Sequence, residues 1–418
     1  MAKAVFLMTR PFLPVVGGRE RMLRQHLEYL VDRFDEVMVI CFKGRGETVD
    51  VERYRREFPS VAFHFTSYPG VVDVLRGALH LGLSAPLQCL AFFGKGKSRW
   101  ITSEIAEFGP DVVVVDMLRL WSYVRHWRST PLVLDIDDLL SVRYQRQLAS
   151  GATDVLGTFR ERLPAAAGWL ANVFAARLLA VESKRLAKME LDVTASAASV
   201  IFVSGLEAER HRLRTGAANL YSVPPMSADV SGVRPPRLRQ GGMPLRFAFL
   251  GNLKAPQNLQ ALRYVVGTLL PVLVDAGFEY SLDVIGSIDA RVAHELSRPG
   301  ITFHGFVDDL NEALRETDLH LAPILSGSGV KTKIVDAFAI GVPTVTTSLG
   351  LEGLDVEGRH VALVFDTPMQ FLEIVRTVTA DPTMLDNIAF NASAYVSEQH
   401  ARDVVFSRYS NAYERLGS

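Results

Sequence analysis

The feature that most restricts this chain is a series of short, unbroken apolar runs separated by longer amphipathic stretches. Residues 4–8, 37–42, 61–65, 111–116, 132–136 and 199–203 are such runs. They are continuous rather than alternating, which marks parallel strands covered by helices on both faces. Amphipathic stretches such as 20–33 and 97–108 lie between them. The pattern is repeated βα winding.

The series breaks at Val223-Pro224-Pro225 and a stretch follows that holds Pro235, Pro236, Gly241 and Gly242 with little apolar pattern. Winding then restarts. Strands are predicted at 247–250, 280–285, 301–303, 319–323, 343–346 and 361–365, with helices over 257–274 and 330–340. A chain of 418 residues exceeds the size at which one core keeps growing. The expected organisation is a doubly wound domain over 1–224, a linker over 225–244, and a second doubly wound domain over 245–395. A terminal helix over 396–418 is expected to pack back on the first domain. Ligands of such sheets bind beyond the carboxyl ends of the strands, so the predicted site is the cleft that the two domains face.

Charge narrows the classes. Lys plus Arg number 45 and Asp plus Glu 46, a net charge of −1, which argues against a nucleic-acid partner bound through phosphate neutralisation. Two cysteines, Cys41 and Cys89, give neither a disulfide framework nor a zinc site, and a reducing cytoplasm is expected. The apolar start of the chain meets Arg10 and Pro11 too soon for a signal-peptide core. No uncharged stretch is long enough for a transmembrane helix. The nearest, 75–93, is broken by Arg76, His80 and Pro86 and followed by Lys95, Lys97 and Arg99. It reads either as a membrane-surface segment or as a buried helix pair.

The strongest chemical signal lies between Leu319 and Gly353. A strand ends at Pro323, the loop Ser326-Gly327-Ser328-Gly329 follows, and a helix then runs to Gly341 with Pro343 just beyond. A glycine loop feeding a helix N-terminus is an anion site, because free N–H groups and the helix dipole both favour negative charge. Lys331 and Lys333 oppose that dipole, a breach of local preference that a bound anion would explain. Projection at ~100° per residue puts Lys331 on the face of Ile334, Val335, Phe338 and Ala339, and turns Lys333 away toward Asp336. The plainer reading is a tight turn whose lysines reach into water.

This stretch resembles the donor-site signature of glycosyltransferase family 4. In that family a loop, a helix with an acidic residue, and Ala-x-x-Gly-x-Pro-x-Val follow one another. Asp336, Ala337, Gly341, Pro343 and Val345 stand in those places. The family's paired glutamates fall on Ser328 and Asp336, so the first acid is absent. Other pieces agree. Gly251 and Asn252 close a strand, with Asn258 opening the next helix. His304, Phe306 and Val307 resemble the loop that lines the nucleobase, although His304 also reads as a structural loop residue. Gly350, Leu351 and Glu352 match the loop beside the ribose or phosphate contacts, and Glu352 also reads as a solvated acid. Gly17-Gly18 matches the family's glycine pair after the first strand, and a tight turn needs that pair equally.

In the first half, Arg119 and Tyr123 follow a strand end and are candidates for holding an acceptor. Asp135, Asp137 and Asp138 crowd another strand end, a costly arrangement unless solvated or occupied. Strand alternation sends Asp135 and Asp137 to one side. In many family 4 enzymes a histidine stands at the place of Asp137. Asp135-Ile136-Asp137 also has the letters of a metal-binding Asp-x-Asp. The reading without a metal follows from placing the phosphates in the other domain, beside Lys331 and Lys333. Arg119, Tyr123, Asp135, Asp138 and Ser141, with the helix pattern from Val181 to Glu190, resemble exopolysaccharide and exosortase-associated sugar transferases.

The resemblance implies the GT-B fold and a retaining, metal-independent glycosyltransferase with no cofactor. Its donor would be a UDP- or GDP-sugar and its acceptor a glycan or lipid-linked sugar. Asp137, Lys331 and Lys333 would be catalytic, Asp336 and the loop glycines would hold the donor, and Arg119, Tyr123 and Asp135 the acceptor. The protein would be cytoplasmic with peripheral contact on the inner face of the cell membrane. A nucleotide-sugar epimerase or phosphorylase, and a degenerate regulatory or assembly subunit, are the rival readings.

Overall fold

The structure, a computed structural model, describes residues 1–15, 17–82, 84–149, 165–227, 244–314, 316–327 and 329–414. The chain forms two compact units. One comprises Met1–Val15, Arg19–Val223 and Ser407–Ser418, the other Val16–Gly18 and Pro224–Phe406. Most of the linker expected at 225–244 lies outside the described residues.

The first unit is built on seven strands: β1 (Lys3–Met8), β2 (Glu36–Lys43), β3 (Val61–Ser67), β4 (Val112–Asp116), β5 (Leu132–Asp137), β6 (Ser199–Phe202) and β7 (Leu220–Ser222). Their order is β3-β2-β1-β4-β5-β6-β7 and every pairing is parallel. Strands β1 and β4 are buried along nearly their whole length, as unbroken apolar runs require. β7 was not legible in the sequence, being only Leu220-Tyr221-Ser222 at the sheet edge.

The second unit has β8 (Leu245–Leu250), β9 (Tyr280–Ile285), β10 (Ile301–Gly305), β11 (Leu319–Ala322), β12 (Thr344–Thr346) and β13 (Leu363–Val364), in the order β10-β9-β8-β11-β12-β13. Its pairings are parallel as well. The helix expected over 257–274 is interrupted: Pro256–Tyr264 and Leu270–Asp275 are joined by a wider turn over Val265–Leu269, ahead of Pro271. Pro271 has no N–H to give, so the local pattern must adjust.

Both sheets thus repeat one scheme. The strand order reverses between β1 and β4 in one and between β8 and β11 in the other. The crevice at the carboxyl ends of such a strand pair is where doubly wound sheets take ligands.

Helix Arg402–Tyr413 brings the chain back to the first unit. Tyr409 stacks on Tyr29, ring centres 4.9 Å apart, and the Tyr413 hydroxyl lies 2.7 Å from His26 Nε2. Among the described residues no helix is long and apolar enough to cross a membrane.

Candidate functional sites at the two sheet reversals

At the first reversal the loop after β1 is tied to the end of β4. Asp116 accepts from the Thr9 backbone N–H at 2.7 Å and from the Thr9 hydroxyl. Asp116 is wholly buried, so its charge needs a counter-ion, and Arg19 supplies it from the first turn of helix Gly18–Arg33. The same guanidinium lies 3.2 Å from Asp135 and 3.6 Å from Asp137. Burial opposes the Arg19 charge, but Asp116, Asp135 and Asp137 outweigh it and hold the group above its usual range. Burial likewise opposes ionisation of Asp135. Arg19, and then His26 with its ring nitrogen 2.8 Å away, outweigh it and lower its pKa.

Asp137 differs from its neighbours. Its carboxyl is 26% exposed, and its backbone has φ +68°, a left-handed conformation that costs a side-chain-bearing residue about 1–2 kcal/mol. The register of β5 against β6 shifts between Asp135 and Asp137, which permits that turn. Met117, straight after Asp116, is left-handed too, at φ +61°. Strained backbone gathered at adjoining strand ends is a pointer to function. Burial, and then the nearby Asp138 charge, push the Asp137 carboxyl up to about 6, against the pull of Arg19 and Arg143. Asp138 is held by Arg143. The crowded strand-end carboxylates are therefore made tolerable largely by two arginines. Sequence reading missed Arg19 and His26 as partners. The available signal was a cation opening a helix right after the strand that faces those acids.

Arg119 and Tyr123 are engaged inside the unit. Tyr123 is buried; its hydroxyl donates to the Phe92 carbonyl at 2.6 Å and accepts from Gly94 N–H at 3.1 Å. Arg119 donates to Gln88 at 2.9 Å and lies over the Phe92 ring at 5.3 Å.

At the second reversal β8 ends in Gly251-Asn252. A Cβ on Gly286 would come within 2.0 Å of the Gly251 carbonyl, and Gly286 has φ +135°, so the β8 and β9 turns meet where only glycine fits. Asn258 is fastened to this turn by donating to the Asn252 carbonyl at 2.9 Å. Beyond β11 the loop passes Gly327 (φ +112°) and Gly329 (φ +72°) into helix Thr332–Ile340, with Lys331 at its cap. Ser328 lies outside the described residues.

Lys333 is turned opposite to the helical projection. Its ammonium donates to Asn258 Oδ1 at 2.7 Å and lies 5.6 Å from the centre of the Phe249 ring. Side chains on a helix lean toward its N-terminus, so a first-turn lysine reaches past the helix end instead of following its nominal face. Among the described residues no carboxylate pairs with this ammonium. Burial, with repulsion from Lys331, lowers it to about 8. The effect reaches into the sheet: His320 on β11 is held down to about 3 by burial and then by Lys333.

The other predicted donor positions lie around this unit. Asp336 is half-buried one turn along the same helix. His304 and Asp283, on neighbouring strands, face each other at 2.6 Å. Phe306 is exposed in the loop after β10, and Val307 packs under it against the sheet. Gly350 lies in the short helix Ser348–Leu351, where a Cβ would collide with the Thr346 hydroxyl at 1.9 Å; Leu351 and Glu352 are half-buried at its end.

Two parallel α/β Rossmann-like units with these strand orders define the GT-B class of glycosyltransferase folds. Solved structures of that class match the whole chain. Anabaena HepE in complex with UDP superposes with a TM-score of 0.63 at 15% identity, covering 99% of this chain and 100% of that one. WaaG, a glycosyltransferase involved in lipopolysaccharide biosynthesis, gives 0.60 at 14% identity, with 99% and 100% covered. Such identities show the fold. More specifically, residues 244–381, within the second unit, match the family model "Glycosyl transferases group 1". A Klebsiella pneumoniae protein, an uncharacterized 44.6 kDa protein in the cps region, is 25% identical over 168 residues. That match covers 38% of this chain and 43% of the relative, so the chain spans less than half the length of that protein.

Proposed function

We propose that the chain is a retaining, metal-independent glycosyltransferase of family 4, in the exopolysaccharide branch. It would move a sugar from a UDP- or GDP-sugar to a glycan or lipid-linked acceptor in surface polysaccharide synthesis. The observation that carries this is the half-buried Lys333 ammonium, with no carboxylate partner among the described residues, at the open end of a helix inside the group 1 segment. A nucleoside diphosphate supplies the negative charge that site lacks, on the helix amides and beside Lys331. The UDP and UDP-glucose complexes of HepE support a uridine donor, and the cps-region relative supports a polysaccharide product.

In this reading the acceptor oxygen bonds to the anomeric carbon as that carbon's bond to the phosphate oxygen breaks. The bonding pair leaves with the diphosphate, where Lys331, Lys333 and the helix amides stabilise it, commonly the largest contribution in such sites. Asp336 holds the ribose, and His304, Phe306 and Val307 border the base. We assign acceptor binding to the first unit, with Asp137 as the carboxylate that takes the acceptor's proton.

The test is calorimetric binding of UDP- and GDP-sugars, followed by nucleotide release with candidate acceptors. No binding of either donor sinks the reading. A second reading, a non-catalytic subunit on the same fold, draws on Ser328 in place of the family's first acid. Tight donor binding with neither transfer nor hydrolysis would favour it.

A further inference from the structure

We infer that Arg119 anchors an anion pocket in the first unit, which takes a phosphate or carboxylate group carried by the acceptor. The inference rests on the reading of that unit as the acceptor's and adds the chemical class of the molecule it takes.

Arg119 stands in helix Met117–Val124, which leaves the carboxyl end of β4. Two further cations leave the neighbouring strands at the same end of the sheet: Arg10 in the loop after β1, and Arg143 in helix Leu140–Ala149 after β5. Arg119 is half-buried and fixed in place. Its Nε donates to Gln88 Oε1 at 2.9 Å, and its planar head lies 5.3 Å from the centre of the Phe92 ring. Both contacts leave the Nη groups unused: among the described residues they make no hydrogen bond, and no carboxylate pairs with Arg119.

The surroundings also lack acceptors. Gln88 is wholly buried, and its NH2 group has no hydrogen-bond partner among the described residues. The half-buried Tyr144 hydroxyl, within electrostatic reach of Arg119, has none there either. The nearby acids are spent elsewhere. Asp116 serves Thr9 and Arg19, Asp138 serves Arg143, and Glu182 accepts from the N–H groups of Leu87 at 2.9 Å and Gln88 at 3.3 Å. Burial, and then repulsion from Arg10, lower the Arg119 pKa, with Arg143 adding to the effect against Tyr144 and Asp116. A guanidinium keeps its proton all the same, so the charge stays and calls for a counter-ion. A planar fork of free N–H groups matches the paired oxygens of a phosphate or carboxylate. A neutral sugar face would leave that charge unanswered.

The test titrates inorganic pyrophosphate, glucuronate and glucose into the full chain by calorimetry, with UDP at saturating concentration to fill the second unit's site. If UDP itself fails to bind, the donor reading falls, and the same titrations without it still read this pocket through Arg119 variants. At least one of the two anions is expected to bind, with glucose about tenfold weaker or more, and the anion's affinity should fall as salt rises. Preference for pyrophosphate points to a phosphate-bearing acceptor, preference for glucuronate to an acidic sugar. Arg119→Gln should weaken the anion by about tenfold to a hundredfold, and Arg119→Lys, which keeps the charge without the fork, by less. Tyr144→Phe should cost a few-fold, about the worth of one neutral hydrogen bond. The melting temperature of Arg119→Gln should hold or rise, because a desolvated cation without a partner is removed. Should that variant not fold, Arg119→Lys and Tyr144→Phe carry the test. Absence of anion binding, glucose bound as tightly as the anions, or anion binding that ignores these substitutions overturns the inference. So does an Arg119→Gln variant with a lowered melting temperature and intact anion binding, which would make Arg119 a structural tie between Gln88 and Phe92.

Discussion

The two units share one strand order yet treat a buried cation at its reversal in opposite ways. In the first, Arg19 is surrounded by Asp116, Asp135 and Asp137, so the protein itself more than compensates the cation. In the second, Lys333 has an amide oxygen, an aromatic face and another lysine for company. Burying a cation among matched carboxylates builds a rigid scaffold; burying one without them leaves an electrostatic deficit that a ligand can fill. The contrast teaches where to look in a doubly wound sheet. Topology marks both crevices alike, and charge separates the acid-rich one from the one prepared for an anion.

That contrast can be broken most directly at Arg19. Arg19→Met should cost about 3–5 kcal/mol in urea unfolding, because Asp116 and Asp135 would be left buried and uncompensated. Lys333→Met should leave stability unchanged or raise it. Similar losses in both variants would end the comparison. Next in size is Asp137→Asn. It keeps a side chain that tolerates the left-handed backbone and removes the ionisable oxygen, so kcat is expected to fall roughly a hundredfold or more while donor affinity holds. Lys333→Met should then weaken UDP binding by about tenfold to a hundredfold in calorimetry, the usual worth of a hydrogen bond to a charged group.

Two pH effects sharpen the picture. Lys333 loses its proton near 8 when folded and near 10.5 when unfolded. Its cost to the ligand-free protein is therefore full below about 8 and is relieved as pH rises between those values. A bound diphosphate favours the ammonium, so UDP affinity should be flat below about pH 8 and fall by up to about tenfold per unit above it. Asp137 has the reverse sense: folded it protonates near 6, unfolded near 3.8. Its cost to stability is full above about 6 and is relieved as pH falls through that window, while kcat/KM should decline below about 6 as the carboxylate is lost. The smallest effect belongs to Tyr413→Phe, which removes the hydroxyl beside His26 and should cost about 0.5–1.5 kcal/mol.

Much of the architecture was legible because its cause is local. Runs such as Val112-Val113-Val114-Val115 can only be comfortable inside a covered parallel sheet, and Gly327, Gly329, Gly341 and Pro343 punctuate the loop and helix around Lys331 and Lys333. What escaped depends on partners distant in sequence. Arg19 meets Asp116 and Asp135 across about a hundred residues, and no periodicity announces it. The orientation of Lys333 was misread because helical projection assumes a helix that continues, whereas this residue sits in the first turn with Asn258 in reach. The shift of register that turns Asp137 is likewise invisible in a strand's letters.

The last helix has a practical consequence. Tyr409 and Tyr413 cover His26, which steadies Asp135, which steadies Arg19. Dissecting the molecule at Val223 would thus not release a self-sufficient amino-terminal half, since its polar scaffold is finished by residues near the other end of the chain. A polypeptide cut short before Tyr409 would lack that lid, so the tail works as a seal of completion, and any split-protein or domain-swap experiment has to carry it along with the first 223 residues.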